Sequence, residues 1–353
     1  MYSAVADIPL TVESVSLERV ARETPEFERV TTVVTLRGDS ETGRGEDVTY
    51  ETAHHDDLTA FAEHEGCDDP ERSLDLAGEY TVDSFSAALD DATLWPAGPP
   101  ERGDFVDYRR WGFEAAALDL ALRQAGETLA DRLDRTYDPV EFVVSSRLPE
   151  GDTSRVDTLL ERYPDAEFKL DPTSEWPDAT FDALAATDAV RVLDLKGQYD
   201  GTDVDQEPDP DLYERVFAFP DAVVEDPAMA DATADLVREH GVRVSWDAPI
   251  HGLDDVRSLP FQPRWLNVKP SRFGTLESLF ETVAWALERD VTLYGGGQFE
   301  LRVGRGQIQE LASLLYPDGP NDVAPAVYND PDLPDDPPRS PIRVPEDHAG
   351  FGF

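Results

Sequence analysis

From Val140 onward the chain repeats one pattern: a short apolar run followed by a stretch with helix character. The runs are EFVVSS from Glu141, EFKL from Glu167, VRVLDL from Val190, AVVED from Ala222, VRVSWD from Val242, WLNVKP from Trp265 and VTLYGGG from Val291. Successive starts lie 26, 23, 32, 20, 23 and 26 residues apart, the length of a strand plus a crossover helix. Alternation of that kind builds a parallel sheet. Seven runs after an N-terminal region of different texture favour a closed (β/α)7β barrel over an open doubly wound sheet, although strand number alone does not separate the two. No G-x-G-x-x-G turn or P-loop follows any run, which removes the usual reason to expect a nucleotide-binding sheet.

Residues 1–135 read as a separate α+β domain. TVESVSLERV and RVTTVVTLRG alternate apolar and polar residues, as half-buried antiparallel strands do, and the Gly-rich GDSETGRGE reads as a turn leading into a third strand, DVTYET. In YRRWGFEAAALDLALRQAG, Trp111, Ala115, Leu118 and Leu122 form one apolar helix stripe, closed by Gly126. The barrel is expected over 136–315. The Pro- and Asp-rich tail, 316–353, is expected to pack back on the N-terminal domain.

The chain carries 75 Asp and Glu against 30 Lys and Arg, a formal net charge of -45. Such a chain repels itself unless salt screens it, so the composition points to a protein adapted to concentrated salt. A content of 40% hydrophobic residues argues for a folded protein rather than a disordered acidic one. With no basic stripe, nucleic acid and anionic membranes are excluded as partners. One cysteine rules out an internal disulfide framework, and MYSAVADIPL lacks a basic segment followed by an apolar one. The expected location is the cytoplasm and the expected partner a small molecule, with a homo-oligomer left open.

Arginine supplies nearly all of the cations. Only three lysines occur, Lys169, Lys196 and Lys269, each near the end of a predicted strand. Asp194, Glu225 and Asp247 likewise end three consecutive strands, and in a barrel these ends converge at the C-terminal mouth, where barrel active sites lie. Acids are so common here that three chosen positions would all be acidic by chance about once in a hundred. Three hard oxygen ligands suit Mg²⁺. A lysine desolvated near a metal has its pKa pushed down and can act as a base near neutrality; the alternative is that the lysines only pair with surplus carboxylates.

The ordered set of motifs resembles the enolase superfamily, in its mandelate racemase and muconate-lactonizing branch, which includes o-succinylbenzoate synthase. Gly43, Gly45 and Glu46 match a G-x-G-E turn of the capping domain; VLDLKG resembles the D-x-N motif, VVEDPAM the E-x-P motif and VSWDAPI the D-E-S motif. LNVKPSRFGTLESL resembles the sixth-strand K-P-s-x-x-G segment of o-succinylbenzoate synthases. The resemblance implies a capping domain on a TIM-like barrel and Mg²⁺ held by Asp194, Glu225 and Asp247, with Lys269 as an acid-base residue. It also implies a reaction that removes a proton α to the carboxylate of a small substrate, with the enediolate stabilised by the metal. Dehydration or cycloisomerisation is the nearest match, with a racemase or epimerase, an acid-sugar dehydratase or a non-catalytic binding homologue as alternatives.

The second strand departs from the pattern. Where the family has K-x-K this chain reads Lys169, Leu170, Asp171; the Asn after the first ligand is Lys196, and the Glu after the third is Ala248. Either Lys196 has taken over the cationic post of the missing lysine, with Asp171 as its partner and Lys169 in reserve, or the proton-transfer machinery has been reassigned or lost. Three weaker features remain. The Gly295–Gly297 run admits a substrate-facing backbone or a plain turn. His54, His55, His64 and Cys67 form a poor zinc pattern. The segment around Arg22 to Phe27 corresponds to the family's loop over the barrel mouth, or to an ordinary hairpin loop.

Overall fold

The structure, a computed structural model, describes the chain apart from residues 25, 26, 64–73, 203, 330–333, 346 and 347. The N-terminal domain comprises β1 (Pro9–Val12), β2 (Ser14–Glu23), β3 (Glu28–Gly38), β4 (Glu41–Asp47), α1 (Thr52–Glu63), β5 (Gly78–Thr81), α2 (Val82–Leu89), α3 (Asp104–Ala125) and α4 (Leu129–Leu133). β2, β3 and β4 form an antiparallel sheet, and β1 pairs with β5. The central strand β3 is buried along most of its length, since α3 covers one face of the sheet and α1 packs on β2 and β3. The predicted helix is present, and Gly126 closes it with φ 69°.

The third strand differs from the expectation. GDSETGRGE is not a turn: only Asp39 and Ser40 turn, with φ 49° and 66°, and ETGRGED is itself the strand, while Thr52 already begins a helix. The glycines are there for packing. A Cβ on Gly43 would lie 2.3 Å from the Leu120 backbone nitrogen, and one on Gly45 would lie 2.0 Å from the Gly112 carbonyl oxygen. The strand thus runs against the backbone of α3, which a side chain would prevent.

The second domain alternates strand and helix: β6 (Val144–Ser146), α5 (Ser154–Arg162), β7 (Phe168–Leu170), α6 (Asp178–Ala185), β8 (Val190–Asp194), α7 (Pro210–Ala218), β9 (Val223–Glu225), α8 (Ala234–Glu239), β10 (Val244–Trp246), α9 (Leu253–Ser258), β11 (Trp265–Val268), α10 (Pro270–Phe273), α11 (Leu276–Leu287), β12 (Thr292–Gly295) and α12 (Val303–Leu315). The seven strands lie parallel in chain order, so every C-terminal strand end faces the same way.

Segment 316–353 does two jobs. Asn321 bridges Phe142 beside β6, and Asp322 bridges Gly296 beside β12, both parallel, so this short piece is the eighth stave that closes the barrel. The Asn321 side chain secures it, accepting from the Gly295 N–H at 2.6 Å and donating to the Glu141 carbonyl at 3.0 Å. Further on, Phe351 is fully buried and meets Trp111 edge to face, and its N–H donates to Asp119 of α3 at 2.8 Å. Among the described residues no helix is long and apolar enough to cross a membrane.

Candidate active site

Asp194 and Glu225 end β8 and β9 in direct register, and Asp247 follows β10. All three are fully buried. Parallel pairing puts them on one rim, and alternation turns the three side chains into the barrel interior. Lys169 of β7 reaches the same place, ion-paired with Glu225 and lying 3.1 Å from Asp194 Oδ2. From the eighth stave, Asp322 stands 3.9 Å from the Lys169 ammonium.

Lys196 has left-handed backbone, φ 53°, a costly conformation for a lysine and an ordinary one for the Asn that the D-x-N motif would place there. The turn folds its side chain back so that the ammonium contacts Asp194 Oδ2 and lies 3.7 Å from Asp171 Oδ2. Asp171 also pairs with Arg147 at 3.3 Å, and its Oδ1 is buried without a hydrogen-bond partner.

On the opposite side, Lys269 pairs with Asp247 Oδ2 at 2.7 Å, and the Arg272 Nε lies 3.2 Å from Oδ1. The Tyr199 hydroxyl donates to Oδ2 at 2.9 Å. Asp226, also left-handed at φ 48°, accepts from the N–H groups of Asp247 and Ala248 at 2.8 and 2.9 Å and so fixes the end of β10. Beneath the rim, Tyr294 and Asn267 both donate to Glu225 Oε2, the latter at 3.1 Å. Gly296 is a glycine because Lys269 runs past it: a Cβ there would sit 2.8 Å from Lys269 Cε.

The structure therefore gathers Asp194, Glu225, Asp247, Lys169, Lys196, Lys269 and Asp171 at one end of the barrel. Among the described residues, the acids with ligand atoms within 4.8 Å of one another are Asp194, Glu225 and Asp226; Asp247 stands outside that group, with Lys269, Arg272 and Tyr199 on its oxygens. Asp226, Tyr199, Arg272, Asn267, Tyr294 and Asp322 were not anticipated. Only Asp226 had a visible signal, as the second acid of VVEDP. The poor zinc pattern is accounted for in part: His55 is buried between Thr32 Oγ1 and the Thr49 carbonyl, and His54 packs on Trp95, while His64 and Cys67 lie outside the described residues. Phe27, just before β3, meets Phe299 after β12 edge to face at 5.6 Å.

Electrostatically the rim is overloaded with acid. Asp194, Glu225, Asp226, Asp247, Asp171 and Asp322 face Lys169, Lys196, Lys269 and Arg272, with the half-exposed Arg147 on Asp171, six carboxylates against five cations. Burial, with Asp194, Asp247 and Asp226 nearby, pushes Glu225 up to about 8 against the pull of Lys169. Burial and then Asp247 and Asp194 push Asp226 up to about 7. Burial would also raise Asp194 and Asp247, but for Asp194 the ammonium groups of Lys196 and Lys169, and for Asp247 Arg272 and Lys269, outweigh it and hold both carboxyls well down. Lys169 and Lys196 reverse the expectation of a lowered pKa. Burial acts in that direction, yet Glu225 and Asp194 raise Lys169, and Asp171 and Asp194 raise Lys196, because here the neighbours are carboxylates.

Known proteins share this architecture. An enolase-superfamily member from Enterococcus faecalis V583 is 18% identical with a TM-score of 0.67, covering 97% of this chain and 94% of that one. Muconate lactonizing enzyme from Pseudomonas putida is 18% identical with a TM-score of 0.62, covering 89% and 88%. Dipeptide epimerase from Methylococcus capsulatus, complexed with Mg, is 18% identical with a TM-score of 0.61, covering 91% and 88%. In sequence, o-succinylbenzoate synthase of Pectobacterium atrosepticum is 24% identical over 266 residues, 70% of this chain and 73% of its own length. The fold is the one that these enolase-superfamily structures share. The chain belongs to the family described as "Domain of unknown function (DUF8230)", whose N-terminal domain matches residues 3–132 and C-terminal domain residues 136–330.

Proposed function

We propose that the chain is an enzyme that binds one Mg²⁺ through Asp194, Glu225 and Asp247 and removes a proton α to the carboxylate of a small substrate. The observation that carries this reading is the buried charge imbalance at the barrel rim. The rim's cations leave Glu225 and Asp226 with raised pKa values, carboxyls that a divalent ion would hold ionised, and the donors are hard oxygens of the kind Mg²⁺ takes. Bound there, Mg²⁺ supplies the positive charge that makes an α-proton beside a carboxylate acidic enough to remove.

The chain's own residues divide the remaining work. Lys269 Nζ, on the β11 side, is the acid-base group that moves the proton. Lys196 and Asp171 stand opposite, with the Lys196 ammonium in the post of the missing second-strand lysine and Asp171 holding it there. Strain supports this assignment: a lysine kept in left-handed backbone so that its ammonium meets Asp194 is a cost retained at a functional site. Lys169, deeper and bound to two acids, serves as fixed countercharge and is the reserve candidate for proton transfer.

The o-succinylbenzoate synthase relative and the muconate lactonizing enzyme favour dehydration or cycloisomerisation, and the dipeptide epimerase keeps epimerisation as the second choice. Work in concentrated salt inside the cell fits the net charge of -45. The test is solvent-deuterium exchange into a panel of small carboxylates, with Mg²⁺ and molar KCl. Exchange at the α carbon supports the reading. Mg²⁺-dependent binding of carboxylates without any exchange favours the non-catalytic homologue, to which Asp171 in the lysine's place points.

A further inference from the structure

Asp247 has to do two things on the reading above: stay aimed at a metal, and release Lys269 when that lysine moves a proton. The structure offers a separate holder. Tyr199 donates its hydroxyl to Asp247 Oδ2 at 2.9 Å, the same oxygen that Lys269 contacts at 2.7 Å. Arg272 donates from Nη2 to the Tyr199 hydroxyl oxygen at 3.2 Å, which leaves the phenol proton for Asp247. Arg272 also faces Asp247 Oδ1 through Nε at 3.2 Å, short of a well-formed hydrogen bond, since neither atom has a hydrogen-bond partner.

Tyr199 comes from the loop after β8, so one phenol ties that loop to a ligand of β10 across the intervening β9. The loop itself is pinned. The Gly197 N–H donates to the Asp226 carbonyl at 2.9 Å, and a Cβ on Gly197 would sit 2.5 Å from the Ala228 nitrogen, so the backbone here has no room to slide. Asp226 in turn receives the backbone N–H of Asp247. Main chain and side chain of Asp247 are thus fixed from the same direction.

We propose that Tyr199, backed by Arg272, is a positioning residue that holds Asp247 for the metal independently of Lys269. The inference rests on Asp247 being a ligand, and outer partners of ligating carboxylates commonly change metal affinity by about 10- to 100-fold. Mg²⁺ affinity is read by titration calorimetry in molar KCl, with thermal melting of the metal-free protein alongside. Tyr199→Phe is expected to weaken Mg²⁺ binding about tenfold with the metal-free melting temperature unchanged, and Arg272→Gln to weaken it less. Lys269→Met is expected to leave Mg²⁺ affinity near wild type. Wild-type or tighter affinity in Tyr199→Phe overturns the proposal, as does a loss in Lys269→Met as large as that in Tyr199→Phe. Asp247→Asn separates the two layers: strong loss there with none in Tyr199→Phe defeats only the positioning role, whereas wild-type Mg²⁺ affinity in Asp247→Asn defeats the ligand assignment beneath it.

Discussion

The capping domain and the barrel rim each bury a carboxylate beside a cation, and they treat it in opposite ways. Asp47, at the end of β4, receives Arg109 Nε on Oδ2 at 2.8 Å and both the N–H and hydroxyl of Thr49 on Oδ1, at 2.9 and 2.6 Å. Burial would raise its pKa, but Arg109, His55 and Thr49 overcome that and push it down to about 2. Arg109 is equally complete, donating also to the Leu94 and His54 carbonyls and lying over Trp95. Glu225 has a lysine, a tyrosine and an asparagine, and still stands at about 8 because it is fully buried and three other acids crowd it. A carboxylate saturated by the protein's own donors is part of the scaffold; one left in surplus is what the proposed metal site requires.

Removing one cation from each region gives the widest contrast. Lys269→Met at the rim is expected to lower α-proton exchange by about 10²- to 10⁴-fold while the fold survives, because Tyr199 and Arg272 still attend Asp247. Arg109→Met in the cap should do the reverse, destabilising the protein by about 3–5 kcal/mol as Asp47 is left buried and unpaired. Exchange assays and urea melts on both variants measure it. A rim that unfolds as readily as the cap would erase the distinction. Glu225→Gln sharpens it further: it is expected to abolish Mg²⁺ binding yet leave the metal-free melting temperature equal or higher, since it fixes the side chain in the neutral form that the buried cluster already favours.

Lys196→Asn tests whether strain at the rim is functional. Asn tolerates left-handed backbone, which relieves up to about 1 kcal/mol of strain, but it also takes the ammonium from buried Asp194 and Asp171, so metal-free stability should fall overall, while exchange should fall because no second lysine stands at position 171. Retained exchange in this variant, together with loss in Lys169→Met, would move the role to Lys169.

The parts of this site that could be read from sequence are those whose physics is local. Buried parallel strands read as continuous apolar runs, so all seven were visible, and three lysines stood out in a chain that otherwise uses arginine. β4 was misread because its glycines, needed where the strand meets α3, look the same as turn glycines in one dimension. Asn321 and Asp322 make single bridges without an apolar run, so nothing marks them as a stave. Tyr199 and Arg272 act through one hydroxyl and one guanidinium brought together across 73 residues, a relation only the folded chain contains.

The effect that joins the two regions is the dependence of stability on pH. Asp47 has its pKa lowered from 3.8 to about 2 on folding, so its contribution is fully present above 3.8 and is lost as the pH falls through 2. Glu225 has its pKa raised from 4.5 to about 8, so the metal-free protein is favoured below 4.5 and loses that advantage as the pH rises through 8. The two slopes have opposite signs and bound a window of greatest metal-free stability on the acid side of neutrality. Melting temperatures taken across pH in molar KCl should show that fall toward pH 8, and Glu225→Gln should reduce it to the part that Asp226 contributes, without touching the acid limb. Arg109→Met should weaken the acid limb and leave the fall toward pH 8 in place. Saturating Mg²⁺ should reverse the alkaline slope in the wild type, since the ion binds ionised carboxylates and its affinity grows as they lose their protons. A metal-free protein whose stability is flat from pH 5 to 8 would mean that the surplus charge at the rim is already neutralised by the fold, and the contrast with Asp47 would disappear.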